Sequence, residues 1–394
     1  MKYKTGLLFT LLILANCGFA QKAPKATTTE RSGSFWDIPD LTKAFITTSP
    51  SKQKDGISVG KLGAKRVNTE MILKLAQEIA ENKHGEYDSF LIAHKGKLIF
   101  ESYYMHGRVD LPHPQASTTK AYTSLALGRA IQLGYLSMDD LDKPVVSFLK
   151  DLDPTAFVEG VEKITLHKAL SMRGGIKVKE ETRKKFEKDT VKLKGQGMVQ
   201  TVLSHSAPIT SNSQGFDYGN YNPTLVMQVI EAVVPGTAED FIKKELFDKM
   251  GITNYRWATG LSGLPRAGSS SSITSRDMIK LGTLVMNKGK WKGKRLISKA
   301  YISKMTDRVV PLTEEQAFFN GENISDPGYG YFWWQADMKV GNKTYFTTSG
   351  QGGGGQYLIV IKELDLIVVV TAHSRENDTM QITATRVLPA FSKR

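Results

Sequence analysis

Two pairs of short apolar runs, one near each end of the chain, constrain the fold more than any other feature of the sequence. Each pair flanks a short polar turn, the runs being residues 89–93, 97–104, 356–361 and 366–371. Runs of this kind around a turn predict β-hairpins. Because much of residues 140–260 has the pattern of helices and loops, we predict one sheet built from both ends of the chain. A cleft between this sheet and the helix-rich insertion is a natural position for an active site.

The remaining apolar patterns predict helices on both sides of the sheet, in an α/β (α+β) architecture. The segments with helical periodicity or helix-forming composition are residues 68–82, 117–133, 165–172, 223–233, 238–250 and about 379–390. Residues 21–66 are rich in Lys, Thr, Ser and Gly, which predicts a flexible leader and a wrap over the surface. We therefore assign residues 67–394 to one domain, with a helix-rich insertion at about 135–265.

The first twenty residues have the pattern of an export signal. Lys2 and Lys4 precede an apolar run, and Gly18-Phe19-Ala20 supplies small residues where a signal peptidase reads, which predicts cleavage before Gln21. The run is too short for a stable membrane span. The alternative is a lipoprotein signal that acylates Cys17, for which Asn16 is a poor preceding residue. We expect a periplasmic or secreted protein, or a lipid-anchored one if Cys17 is used.

The formal net charge of +14 suits an anionic cell envelope or anionic substrates. The densest basic stretch, residues 177–194, is interleaved with acidic side chains and reads as a solvated surface. Together with the export signal, this argues against a nucleic-acid partner. No metal or dinucleotide motif stands out, so we predict no cofactor. Cys17 is the only cysteine, and a chain cut before Gln21 would have no thiol chemistry.

Ser117-Thr118-Thr119-Lys120 is the first candidate for catalysis. Residues three apart share a helix face, so the Lys120 amine can reach the Ser117 hydroxyl. A serine needs a base to become a nucleophile, and burial lowers the pKa of a lysine towards that role. The spacing alone is weak, because it recurs at Ser147 and Lys150. The alternative is a helix-capping serine beside an exposed lysine, but Ser117 also opens an apolar helix.

Two later segments carry further candidates. In Tyr218-Gly219-Asn220, a phenol could move a proton and an amide could bind a substrate carbonyl; the alternative is a turn with a packed tyrosine. The Gly-rich stretch 348–356 leads into an apolar strand, where a backbone N–H could complete an oxyanion hole. A phosphate-binding loop would lead into a helix, so we reject nucleotide binding. A flexible loop is the alternative for this stretch.

The order Ser-x-x-Lys, Tyr-x-Asn, Gly-rich strand resembles the penicillin-recognising serine hydrolases. The Tyr-x-Asn branch contains class C β-lactamases, D-alanyl-D-alanine peptidases, esterases and 6-aminohexanoate-dimer hydrolase. Residues 134–140 and 164–176 are similar to further segments of that family, and residues 236–252 and 329–334 look most like its amide-hydrolase and esterase members. The resemblance covers about residues 70–390 and implies a β-lactamase-like antiparallel sheet flanked by helices.

The resemblance also implies a role for each matching position. Ser117 would be the acylated nucleophile, Lys120 the proton acceptor and Tyr218 the general base and acid. Substrate would be bound by Asn220 and by the segment Ser349, Gly350 and Gln351. The backbone N–H groups of Ser117 and Gln351 would form the oxyanion hole.

One departure bears on the substrate. Where relatives have Lys or His in the third motif, this chain has Thr348. The missing cation weakens the case for β-lactam or D-Ala-D-Ala substrates, which present a carboxylate. It favours a small-molecule ester or amide, with a cell-wall peptide as a further possible partner. The alternatives are a β-lactamase, a D-Ala-D-Ala carboxypeptidase, and a sensor or binding protein that is acylated without turnover.

Overall fold

The computed structural model describes residues 22–64, 67–374 and 378–392, so the predicted signal peptide and Cys17 lie outside the described residues. Its main element is a nine-stranded antiparallel sheet with the order β1-β3-β2-β14-β13-β12-β11-β10-β9. The strands are β1 Phe45–Thr47, β2 Tyr87–His94, β3 Lys97–Tyr103, β4 His113–Pro114, β5 Tyr255–Trp257, β6 Ser271–Ile273, β7 Lys290–Trp291, β8 Lys294–Arg295, β9 Val310–Pro311, β10 Ile324–Tyr329, β11 Trp334–Val340, β12 Lys343–Gly352, β13 Gln356–Ile361 and β14 Leu366–Ala372.

The sheet is built from both ends of the chain, as the two apolar hairpins predict. Strands β2 and β3 pair with each other, and so do β13 and β14, while β14 pairs with β2 at the centre. These central strands are buried along nearly their whole length, which explains why they read as continuous apolar runs. Strand β1 lies within the predicted wrap 21–66 and adds an edge strand to the sheet.

Twelve α-helices accompany the strands in the described part of the chain. They are α1 Thr28–Ser32, α2 Thr69–Ala80, α3 Thr119–Gln132, α4 Leu166–Leu170, α5 Glu180–Phe186, α6 Gly197–His205, α7 Tyr221–Val233, α8 Ala238–Phe241, α9 Ser275–Met286, α10 Lys299–Met305, α11 Thr379–Ile382 and α12 Leu388–Phe391. Two π-helical turns, Ile242–Phe247 and Thr383–Val387, continue α8 and join α11 to α12. Short 3₁₀ turns occur at 35–37, 116–118, 139–142, 145–148, 154–156, 161–163, 248–250, 314–316 and 362–364.

Helix α2 shows how the sequence specifies these elements. The Asn68 side chain accepts a hydrogen bond from the Met71 backbone at 3.1 Å, which satisfies a free amide at the helix start. Its apolar residues recur on one stripe, and that stripe is buried. The helical periodicity of residues 68–82 predicts this helix.

Helices cover both faces of the sheet. On one face, Gly282 of α9 lies against the side chains of Leu358 and Ile367. The alternate residues of the same strands, Ile359 and Val368, are also fully buried. This is the predicted fold class, an antiparallel sheet flanked by helices, and it is confirmed. Helices α4 to α8 fall within the predicted insertion at 135–265.

No helix in the described ranges has both the length and the apolar character needed to cross a membrane.

Candidate active site

Ser117 lies in a 3₁₀ turn, Ala116–Thr118, that leads directly into α3. Ala116 has φ of +43°, a left-handed conformation that is uncommon for a residue with a side chain. Backbone strain of this kind persists only where the surrounding structure enforces it, and it is concentrated at functional sites. The turn leaves Ser117 partly exposed, whereas α3 behind it is buried through almost all its length.

Lys120 lies one helical turn after Ser117 and is only 2% exposed. Its Nζ is 3.0 Å from Ser117 Oγ and donates a hydrogen bond to the Gly268 carbonyl oxygen at 2.8 Å. Burial lowers the pKa of Lys120 to about 7. At neutral pH, a substantial fraction of this side chain is therefore an uncharged amine that can accept the Ser117 proton.

Gly268 is a site residue that the sequence motifs do not include. It lies on the loop between β5 and β6, and Thr123 holds that loop by donating to the Ala267 carbonyl at 2.8 Å. A Cβ added at Gly268 would lie 2.4 Å from Asn220 Oδ1 and 3.4 Å from Lys120 Nζ. The Asn220 amide and the Lys120 amine therefore meet at this glycine, and no side chain fits between them. The only sequence signal is the run of small residues at 267–272.

Tyr218 lies on the other side of Lys120. The Lys120 Nζ is 4.7 Å from the centre of the Tyr218 ring. Burial raises the pKa of Tyr218 to about 12, and a hydrogen bond with the Ser117 side chain opposes part of that rise. The phenol is thus a proton donor at neutral pH, in contact with both members of the Ser-Lys pair.

The end of β12 runs beside the Ser117 turn. Cβ atoms added at Gly350 and Gly352 would approach Thr118 Cγ2 at 3.1 Å and the Gln115 carbonyl oxygen at 2.4 Å. The pairing of β12 with β11 ends at Ser349, so residues 350–352 have one strand edge without a β11 partner. An extended group of a substrate can pair with a free strand edge of this kind.

The side chains of Ser349 and Gln351 lie on the opposite face from those two glycines. Successive strand residues point to opposite faces, and Gln351 Nε2 donates to Ser349 Oγ at 2.9 Å within the buried layer there. Any contact of these two residues with a group at Ser117 therefore comes from their backbone. The prediction that Ser349 and Gln351 bind substrate therefore remains only for their main-chain atoms.

Thr348 shares the face of Gly350 and is 1% exposed. Within the described residues its hydroxyl has no hydrogen-bond partner. The position that is cationic in the resembled family is thus occupied by a small, neutral, buried side chain.

Two further features do not include the Ser117–Lys120 pair. A cavity of about 810 Å³ is lined by residues that include Glu86 and Phe318, and its lining does not include Ser117. Asp88, His106 and His373 bring possible metal-ligating atoms within 4.8 Å of one another. However, the two imidazole rings stack 4.4 Å apart at 6°. Parallel rings direct their lone pairs side by side instead of towards one ion.

The sheet, the flanking helices and a Ser-Lys pair at the start of a buried helix define the β-lactamase-like class of fold. The chain belongs to the beta-lactamase family, whose family model matches residues 74–390. This is a family of hydrolases, and the predicted resemblance is confirmed. No curated protein matches the sequence.

Solved structures show the same fold at low sequence identity. A putative 6-aminohexanoate-dimer hydrolase from Bacillus anthracis matches with a TM-score of 0.56 and 16% identity, covering 86% of this chain and 83% of its own. EstCE1, a hydrolase with promiscuous acyltransferase activity, matches with a TM-score of 0.60 and 15% identity, covering 82% and 98%. A class C beta-lactamase matches with a TM-score of 0.58 and 14% identity, covering 82% and 95%.

Proposed function

We propose that this protein is a serine hydrolase that cleaves an ester or amide through an acyl-enzyme on Ser117. The observation that carries the proposal is the buried Lys120, whose Nζ is 3.0 Å from Ser117 Oγ and whose pKa burial lowers to about 7. Burying a charged lysine is energetically unfavourable, and buried lysines with a lowered pKa are found where an uncharged amine is needed as a base.

Acylation begins with attack of Ser117 Oγ on the substrate carbonyl carbon, while the hydroxyl proton passes to Lys120 Nζ. The carbonyl oxygen becomes an oxyanion, for which the backbone N–H groups of Ser117 and Gln351 are the proposed donors. The bond to the leaving atom then breaks as Tyr218 gives that atom its phenolic proton. Lys120 returns its proton to the Tyr218 oxygen, so the Ser117 proton has in effect moved to the leaving group.

Deacylation repeats these steps with water as the nucleophile. Water gives its proton to the Tyr218–Lys120 pair, and its oxygen bonds to the acyl carbon. The bond from that carbon to Ser117 Oγ breaks, and the Tyr218–Lys120 pair passes the proton that it took from water to Oγ. In this scheme Asn220 orients Lys120 and binds the substrate carbonyl, which accords with the meeting of Asn220 and Lys120 at Gly268.

The proposed substrates are small esters or amides without a carboxylate requirement. Support comes from Thr348, because its neutral side chain cannot form the ion pair with a carboxylate that Lys or His would provide. The alternatives are a β-lactamase, a D-Ala-D-Ala carboxypeptidase and a protein that is acylated without turnover. We further propose export through the signal at residues 1–20, to the periplasm or the medium, with lipid attachment at Cys17 as the alternative route.

The test compares the wild type with Ser117→Ala. Both are assayed with p-nitrophenyl acetate and nitrocefin, and their intact masses are measured after exposure to a fluorophosphonate or penicillin. We expect ester turnover and a mass adduct in the wild type, and neither in Ser117→Ala. The matched control is Ser147→Ala, since Ser147 has the same spacing to Lys150 but is exposed; it should retain both.

Each other outcome has a defined meaning. Nitrocefin turnover would support the β-lactamase alternative despite Thr348. An adduct without turnover would support the sensor alternative. A folded wild-type protein that gives neither adduct nor turnover would refute the acyl-enzyme proposal.

A further inference from the structure

A continuous aromatic surface leads from the protein core to the Tyr218 phenol. Tyr218 is 5.2 Å from Trp334 and 6.1 Å from Tyr329, and these two buried rings are 4.7 Å apart, measured between ring centres. Phe216 extends the surface at 5.2 Å from Tyr329. We call these rings, with Phe318, the aromatic wall: Phe216, Tyr218, Phe318, Tyr329 and Trp334.

Phe318 is the outermost ring of the aromatic wall. It is 66% exposed, yet its ring is held edge-to-face against Tyr218 at 5.0 Å and lies 5.2 Å from Trp334. Single exposed apolar residues are common and need no function. The position of Phe318 is what distinguishes it, because its exposed surface adjoins the residue that would protonate a leaving group.

The charges near the aromatic wall do not favour an anionic group there. Thr348 is neutral, and Lys120 is held by Ser117 and Gly268. Lys177 is paired at 2.7 Å with Asp217, the residue that precedes Tyr218. Ring faces offer dispersion and edge-to-face contacts to another flat ring.

We propose, on the basis of the hydrolase function proposed above, that the aromatic wall binds a planar apolar leaving group, such as a benzyl or other aryl-bearing alcohol or amine. The leaving atom must come within hydrogen-bond reach of the Tyr218 oxygen to take its proton. A group attached to that atom therefore lies beside the Tyr218 ring, where Phe318 is the exposed neighbour. The acyl group is a different substituent of the carbon at Ser117 and points in a different direction from the leaving group.

The test measures kcat/KM by pH-stat for three esters that separate the two parts of the substrate. Benzyl acetate has an aryl leaving group, methyl phenylacetate has an aryl acyl group, and methyl acetate has neither. We expect Phe318→Ala to lower kcat/KM about tenfold for benzyl acetate, because an aromatic contact of about 1.4 kcal/mol corresponds to that factor. The other two esters should change less than about twofold.

The control is Trp36→Ala, which removes an aromatic side chain of similar exposure, 63%, from the N-terminal segment and should change none of the three rates. If Phe318→Ala folds poorly, Phe318→Leu is used in its place. In addition, inhibition of wild-type methyl acetate hydrolysis is measured, and benzyl alcohol should inhibit at a lower concentration than ethanol does. The aryl leaving-group inference would be overturned if Phe318→Ala lowered kcat/KM equally for all three esters, lowered it only for methyl phenylacetate, or did not lower it. These outcomes would leave the proposed hydrolase function standing. Absence of all ester hydrolysis and of a Ser117 adduct in the wild type would instead refute the hydrolase function itself.

Discussion

Lys120 has two hydrogen-bonding contacts in the described structure, and neither is a carboxylate. Its Nζ meets the Ser117 hydroxyl and the Gly268 carbonyl, both of which are uncharged. A buried ammonium without a counter-ion is unstable relative to the free amine, which is the physical cause of its lowered pKa. A substantial fraction of the lysine is therefore uncharged at neutral pH, as its proposed role as a base requires.

This pKa predicts the pH dependence of catalysis. Lys120 must be uncharged to accept the Ser117 proton, so kcat/KM for a short ester should rise about tenfold per pH unit below 7 and level off above it. The plateau should persist to at least pH 9.5, since the pKa of Tyr218 is about 12 and the phenol keeps its proton there. Lys120→Arg, which stays charged, should lose about a thousandfold in kcat/KM. A flat wild-type profile between pH 5.5 and 8.5 would contradict this role.

The loop between β5 and β6 acts on the site through its backbone alone. Its Gly268 carbonyl accepts from Lys120, and its α-carbon lies against Asn220. The loop is fixed from α3, because Thr119 and Thr123 hydrogen-bond to Ser271 and to the Ala267 carbonyl. Helix and loop thus position the base from two sides.

Gly268→Ala should separate this geometric role from stability. The new methyl group would displace Asn220 and crowd Lys120, and misplacement of a catalytic group by about 1 Å costs roughly a hundredfold in rate. We expect kcat/KM to fall by about that factor while far-UV circular dichroism stays unchanged. Gly215→Ala is the control, since a Cβ there meets nothing within 4 Å. Equal activity in the two variants would rule out the positioning role of the loop.

The elements of this protein differ in how far the sequence reveals them. Strands β2, β13 and β14 were predictable because both of their faces are buried, which leaves continuous apolar runs. Strand β1 was not, because three residues are too few for a periodicity. The π-helical turn at Ile242–Phe247 preserves helical composition and gives no signal of its own.

The side chains of the candidate site were easier to predict than the loop that contacts Lys120. Ser117 and Lys120 follow from a local spacing, and the structure brings Tyr218 and Asn220 to them. The Gly268 carbonyl belongs to the backbone, so no side chain marks it in the sequence. It also lies 148 residues from Lys120 along the chain. The face of the sheet on which the side chains of Ser349 and Gln351 lie depends on the register of β12. An error of one residue in the predicted register would place them on the opposite face.

At the scale of the whole molecule, a buried carboxylate ties distant segments together. Asp88 accepts from its two histidine partners, His113 and His373, at 2.9 Å each. Burial alone would raise the pKa of Asp88, but these hydrogen bonds outweigh it and lower the value. The hydrogen bond to Asp88 correspondingly raises the pKa of His373. His113 precedes Ser117 by four residues, so the network connects the sheet centre to the site.

The network predicts a pH-dependent stability. Asp88 contributes stability above the unfolded pKa of an aspartate, and that stability is lost as the pH falls through its lowered folded pKa. His373 contributes stability below the unfolded pKa of a histidine, and that stability is lost as the pH rises through its raised folded pKa. Asp88→Asn should therefore cost about 3 kcal/mol of unfolding free energy near pH 5.5, and less at pH 9. His106 stacks on His373, and the carboxylates of Glu86 and Asp40 also act on its charge, which broadens the transition.

The measurement is urea unfolding of the wild type and Asp88→Asn at both pH values. The exposed Asp153→Asn is the control, because its carboxylate caps only a neighbouring turn at the surface. A cost for Asp88→Asn that is equal at the two pH values would mean that the charge of His373 does not contribute.

The pairing of β14 with β2 also sets the order in which the molecule can assemble. Ser89 and Thr371, hydrogen-bonded across this pair, are 282 residues apart, so closing the sheet requires one of the longest loops the chain can form. Because synthesis begins at the N-terminus, the growing chain contains Ser117 and Lys120 long before it contains β12 and β14. On the hydrolase function proposed above, the complete site can therefore form only when the last strands join the sheet.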